Sequence, residues 1–308
     1  MAEITANLVK QLRDQTGAGM MDCKTALRET GGDLEDATDW LRKKGLAAAA
    51  KKAGRLTAEG LIGVQIETRR GAMVEVNSET DFVARNESFQ KLVRTIAALA
   101  PRAGGDLEAL LRLQVPDSGR SVADEITQAI SVIGENINLR RAAAIEVDEG
   151  IVGSYVHGVL APGLGKIGVL VGLHSAGDAE QLAALGKQLA MHIAAAKPHA
   201  VSIDRLDPTL VERERAIYAE QARASGKPDS IIDKMVEGRM RKYHEEVVLL
   251  EQVFVIDTSL KVKDAIDRLA ETLGSSIAVT GFVRFALGEG LAPKPTNLAD
   301  EVAQLAGA

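Results

Sequence analysis

The stretch Pro162-Gly163-Leu164-Gly165-Lys166-Ile167-Gly168 carries the glycines and the lysine of a phosphate-binding loop. A P-loop needs glycine five positions ahead of the Gly-Lys pair and Ser or Thr after the lysine, to cradle phosphates and hold a metal ion. Leu160 and Ile167 occupy those positions. The segment also joins two strand-like runs, so no helix N-terminus faces a phosphate. It reads as a hairpin loop. The five histidines, His157, His174, His192, His199 and His244, show neither i, i+4 pairing nor an HExxH pattern, and no metal site is expected from them. Cys23 is the only cysteine, on the apolar face of an expected helix with no histidine nearby. That excludes an internal disulfide framework and a thiolate zinc cluster. No G-x-S-x-G occurs. Carboxylates are too abundant to pair as acid and base without geometry. The residues give an enzyme no positive support, and no cofactor is expected.

Asp81-Phe82 stands apart from this background. It lies in Glu75-Val-Asn-Ser-Glu-Thr-Asp-Phe-Val-Ala-Arg-Asn-Glu-Ser-Phe89, which begins as a buried strand and ends as a helix. Aromatics are scarce, with one Trp, three Tyr and five Phe, so one at a corner is informative. Either Phe82 is a core residue stapled against the next helix, or it is presented to another molecule. His157, in Ser154-Tyr-Val-His-Gly158, ends a strand beside a glycine-rich turn and is expected to be exposed.

The chain has 308 residues, a formal net charge of −6 and a globular apolar fraction. Acidity argues against a general nucleic-acid binder, which needs clustered cations to displace counterions. The basic run from Arg42 to Arg55 reads as a solvated face. No run of about eighteen apolar residues occurs, so no membrane span is expected. The N-terminus lacks the apolar core of a signal peptide, and a cytoplasmic location is expected.

The elements that must position these residues read as an α+β protein. Residues 1–54 form a small three-helix domain, with stripes Ile4/Leu8/Leu12, Met20/Cys23/Leu27 and Leu34/Ala37/Leu41. Asp33 caps the third helix and Gly45 closes it; residues 46–55 make a helical or flexible connection. Residues 55–141 give strand, turn, strand and a helix ending before Pro101, then a mostly helical segment reaching about residue 141. Residues 142–206 and 247–290 repeat strand, turn, strand and helix, the helix ending before Pro198, so the core reads as a duplication with helices on one face of each sheet. Counted back from the two prolines, Phe82 falls opposite Ala179 and Asp81 opposite Asp178. The second copy thus builds its corner without an aromatic. Residues 207–246 form two charged helices with a narrow seam of Ile232, Met235 or Val236, and Tyr243: either a projecting hairpin or a flap on its own domain. Residues 291–308 hold a short amphipathic helix with Leu298, Val302 and Leu305, which must fold back or grip a partner.

Two long motifs, Leu12-Arg-Asp-Gln-Thr-Gly-Ala-Gly-Met-Met-Asp-Cys-Lys-Thr-Ala-Leu27 and Glu75-Val-Asn-Ser-Glu-Thr-Asp-Phe-Val-Ala-Arg85, resemble signatures of the bacterial elongation factor Ts family. Ile133–Arg141, Gly153–Gly158, Gly226–Met240 and Thr280–Gly290 resemble further landmarks, in order. The 158–166 loop is longer than the family's usual loop, leaving its role open. The resemblance implies a nucleotide-exchange factor for elongation factor Tu, with no bond-making chemistry of its own. It implies a ubiquitin-associated-like N-terminal domain docking on the partner's GTPase domain, a two-part core, a coiled-coil arm for self-association in some members, and a C-terminal helix clasping the partner. Thr80, Asp81, Phe82 and Val83 match the segment that dislodges the partner's magnesium. His157 matches a histidine that perturbs its phosphate loop. Leu12, Lys24, Met235, Val236, Leu298 and Val302 are the further contacts expected. The alternatives are a non-exchanging scaffold for a GTPase and an enzyme with an unrecognised site.

Overall fold

The structure, a computed structural model, describes residues 4–224, 226 and 228–291. The expected terminal helix with Leu298 and Val302 lies outside them. Helices α1 (Ala6–Thr16), α2 (Met20–Glu29) and α3 (Leu34–Lys52) come first. They enclose a core of Val9, Leu12, Cys23, Ala26, Leu27, Ala37 and Leu41. Asp33 caps α3 by accepting the Asp36 N–H at 2.9 Å. Gly45 does not end α3. The helix continues through the alanine run to Lys52, because alanine's propensity offsets a single glycine costing about 1 kcal/mol. At Gly45 the helix passes close to Ser131.

Next come β1 (Glu59–Glu67), β2 (Arg70–Ser78), the single turn α4 (Asp81–Ala84), α5 (Glu87–Ala103), α6 (Leu107–Arg112), α7 (Val122–Ile133) and β3 (Ile137–Glu146). β3 corrects the helical expectation to residue 141. Its Arg-Arg-Ala-Ala-Ala run reads as helix former, but β2 offers an antiparallel partner along its length, and tertiary pairing overrides propensity. α5 likewise runs through Pro101 and stops at Gly104 (φ 60°). A proline in the last turn removes one donor, and Pro101 is buried where it sits.

The second unit holds β4 (Ile151–His157), β5 (Leu164–Gly165), β6 (Ile167–His174), α8 (Ala179–Ala196), the hairpin α9 (Pro208–Arg223) and α10 (Asp229–Val247), α11 (Val262–Leu273) and β7 (Ala278–Ala286). Pro208 takes the first helical position of α9, whereas Pro228 sits one earlier, as the N-cap of α10. Both units run strand, strand, helix, then helix and a third strand antiparallel to the second. The sheet orders are β3-β2-β1-β5 and β4-β6-β7. Each third pairing even carries a register shift, at Glu75/Val76 and at Gly172/Leu173. The hairpin interrupts the second unit where α6 stands in the first.

Alternation along the strands stacks the layers. Ala72, Val74 and Val76 face α5 and α7, while Met73 faces the other sheet with Ile62, Val152, Leu170 and Phe285. Val169, Val171 and Leu173 face α8 and α11. Each sheet therefore packs on helices with one face and on the other sheet with its second face. Gly168 lets the sheets approach: a Cβ there would lie 2.6 Å from Ile62 and 3.1 Å from Val64. The hairpin has its own seam of Ala222, Ile232, Val236 and Met240, and a base cluster of Ala200, Leu206 and Val248.

Candidate partner-binding site

β2 ends at buried Ser78, whose hydroxyl donates to the Thr80 carbonyl at 3.0 Å. The chain then turns through α4, whose inner side is Val83 and Ala84, both in the first core. Phe82 lies on the outer side and is 78% exposed, while the other four phenylalanines are buried or half-buried. Phe89 is the ordinary aromatic of this corner, fully buried under α5. Phe82 is not stapled to that helix. Asp81 is exposed beside it, and Thr80 is half-buried.

Because α5 runs past Pro101, the two units register better on their N-caps, Asn86 and Asp178. Residues 79–85 then stand opposite only 175–177. Phe82's turn is an insertion in the first unit, with no counterpart in the second.

His157 closes β4, exposed, with its Nδ1 3.2 Å from the Tyr155 hydroxyl. The loop after it turns at Gly158 (φ 63°) and presents Val159 and Leu160 to solvent. Its return crosses to the other sheet: β5 pairs with Ile62 and Gly63 of β1, and Leu164 is buried in the first core. The long loop thus fastens the two units together. It also meets the corner, since a cleft of about 370 Å³ is lined by Gly60, Asp81, Ala84, Arg85, Leu160 and Lys166.

The other expected contacts divide. Lys24 is exposed, and Met235 is half-buried. Leu12 is fully buried in the helical domain and Val236 lies in the hairpin seam, so both build cores rather than contact surfaces. Val83 likewise anchors α4 from beneath. Met20, assigned to a buried stripe, is instead 52% exposed, next to Met21 at 72%. Only depth distinguishes this apolar pair from its buried neighbours, which is why spacing did not find it.

Among the described residues no group of three His, Cys, Asp or Glu is placed to hold a metal ion, and no helix is long and apolar enough to cross a membrane. Burial pushes the Cys23 thiol up, away from a reactive thiolate. His192 is a buried structural histidine. Its Nδ1 accepts the Val255 N–H, which leaves Nε2–H to donate to Gln252 at 2.8 Å, and burial holds the ring neutral by lowering its pKa.

Comparison with known proteins places this geometry in a family. Residues 79–289 match the family described as elongation factor TS. The chain is 59% identical over 307 residues to elongation factor Ts of Rhodospirillum centenum, covering 100% of both chains. It is 58% identical over 304 residues to the factor of Rhodospirillum rubrum, covering 98% of each, and 58% over 306 residues to that of Parvibaculum lavamentivorans, covering 99% of each. The chain belongs to the elongation factor Ts family, the nucleotide-exchange factors that serve elongation factor Tu in translation elongation.

Proposed function

We propose that this chain expels GDP from elongation factor Tu by pressing Phe82 between helices beside the partner's nucleotide. The observation that carries the reading is an aromatic 78% exposed on a turn whose underside, Val83 and Ala84, is buried. A GTPase holds its nucleotide through a phosphate loop and a magnesium ion on phosphate oxygens. Magnesium demands near-octahedral geometry, so a small displacement of its surroundings weakens the site. An exchange factor need only bind the nucleotide-free state better than the GDP state, and the coupling is reciprocal: GTP binding expels the factor. Release of fluorescent GDP from elongation factor Tu, with and without the protein, tests this. Binding without accelerated release would instead indicate a scaffold.

His157 acts beside the wedge, against the partner's C-terminal part. Replacing an exposed ring with few internal contacts, His157→Ala is expected to slow maximal GDP release about threefold, a smaller loss than at Phe82. Stopped-flow release at saturating factor reads both.

The helical hairpin is a second contact surface, for self-association. Leu210, Ile217 and Ile231 are exposed on it although its seam is already filled. Ile217→Glu with Ile231→Glu is expected to shift the protein to monomer in sedimentation equilibrium without lowering helicity. An unchanged mass distribution would remove this role.

A further inference from the structure

The turn that carries Phe82 is held from outside itself. α4 is one turn long, too short for intrinsic helical stability. Its N-cap residue, Thr80, makes no side-chain cap to the helix. The Thr80 hydroxyl instead donates to Glu135 Oε1 at 2.7 Å. Glu135 Oε2 accepts the backbone N–H groups of Glu79 at 3.1 Å and Thr80 at 3.0 Å. A hydroxyl normally spent on the first turn of its own helix is thus spent on a residue 55 positions away.

The return contact is equally direct. Glu79 Oε1 accepts the Asn136 N–H at 2.6 Å and lies 3.4 Å from the Arg55 guanidinium. Asn136, buried, donates its side-chain amide to the carbonyl of Arg55 at 2.9 Å. Gly134 ends α7 in the left-handed region (φ 87°), which brings Glu135 and Asn136 out at this point. Two glutamates each satisfy backbone donors next to the other, and the bracket joins the Phe82 corner to the loop between α7 and β3.

We propose that Glu135 is a positioning residue for Phe82, fixing the corner so that force on the aromatic moves the partner and not its own mount. A wedge displaces whichever side is softer. Without Glu135 the Glu79 and Thr80 amides and the Thr80 hydroxyl lose their acceptor, and a one-turn helix is free to tilt on Val83 and Ala84. The inference rests on the wedge reading above, and its test separates the two.

The test is the saturating rate of fluorescent GDP release from elongation factor Tu, read apart from the factor concentration giving half that rate. Glu135→Ala is expected to lower the saturating rate roughly tenfold while shifting half-saturation less than about threefold. Glu135→Gln, whose oxygen can still take both amides while its NH2 meets the Thr80 oxygen, is expected to recover most of the rate. Because Glu135 acts through Phe82, Glu135→Ala in a Phe82→Ala background is expected to cost little further. A merely structural role would make the two losses multiply. Should Glu135→Ala not fold, Thr80→Val, which removes only the hydroxyl contact, enters the same cycle in its place. Multiplying losses, or a wild-type saturating rate in a folded Glu135→Ala protein while Phe82→Ala is slow, would overturn the positioning role alone. A wild-type rate for Phe82→Ala would overturn the wedge and the positioning role together.

Discussion

Phe82→Ala is expected to leave the fold intact and to cut the accelerated release of GDP by about thirtyfold, the equivalent of roughly 2 kcal/mol for an aromatic anchor that fills a partner's pocket. The two halves of that expectation have separate origins. The side chain is 78% exposed and belongs to none of the apolar clusters, so its loss removes little internal packing. Exposed substitutions away from caps and cores change stability by about 0.5 kcal/mol or less. The functional half follows from where the work is done. If the aromatic is inserted mainly in the nucleotide-free complex, its removal raises the barrier to release more than it weakens the first encounter with the GDP form. The maximal release rate should therefore fall more than the half-saturating concentration rises. Thermal unfolding and stopped-flow release on the same preparation check both halves. A large fall in unfolding temperature would make Phe82 a core residue after all, and unchanged release by a stable protein would remove the wedge.

The features legible in the sequence were those written within a few residues. The helical stripes apart from exposed Met20, the Asp33 cap, the paired strands and the two charged helices of the hairpin all rest on spacing or on a local side chain, and they stand where expected. The third strand of the first unit did not, because Arg140 to Ala144 is strand only by virtue of β2 beside it. Local punctuation also misled: Gly45 and Pro101 are poor helix residues, but the alanine run carries α3 past the first and the second is tolerated, buried, in the last turn of α5. At the candidate site, the oddness of Phe82 was legible, whereas its inserted turn was hidden by counting from Pro101. Glu135 lies in the Ile133–Arg141 stretch that resembles a family landmark, but its role was not legible. Its partners are brought together only when β2 and β3 pair, and no local spacing points from Glu135 to the Phe82 corner.

Glu75 gives the largest expected effect on stability. Its side chain is fully buried at the middle of β2, on the face toward the second sheet, and an isolated carboxylate there would be costly. It is tolerated because both oxygens are fully engaged. Oε1 accepts from Arg140 at 3.0 Å, Asn77 at 3.1 Å and the Gly288 N–H at 2.9 Å, while Oε2 accepts from Arg141 Nε at 2.5 Å. The same two arginines reach onward to the carbonyls of Glu289 and Ala286, and Arg141 lies 4.0 Å over the Phe285 ring. One carboxylate thus ties the first sheet to the end of β7. Glu75→Ala leaves the half-buried Arg140 guanidinium without its counter-ion and Arg141 with only the half-exposed Glu289 carboxylate at 3.8 Å, and breaking such a buried pair from one side costs about 3–5 kcal/mol. Urea unfolding should register that loss, and hydrogen exchange should rise at residues 286–289. The pH dependence has a definite sign. Burial pushes the Glu75 carboxyl up, but the Gly288 N–H, Arg141, Asn77 and Arg140 together outweigh it and hold the group below the usual carboxylate range. A depressed folded-state pKa stabilises the protein fully above the unfolded value, about 4.3, and that contribution disappears as pH falls below it. The stability gap between the wild type and Glu75→Gln should therefore be widest near neutrality and close on acidification below about pH 4. A gap that persists unchanged into acid would mean that shape at this position, and not charge, holds the two sheets together.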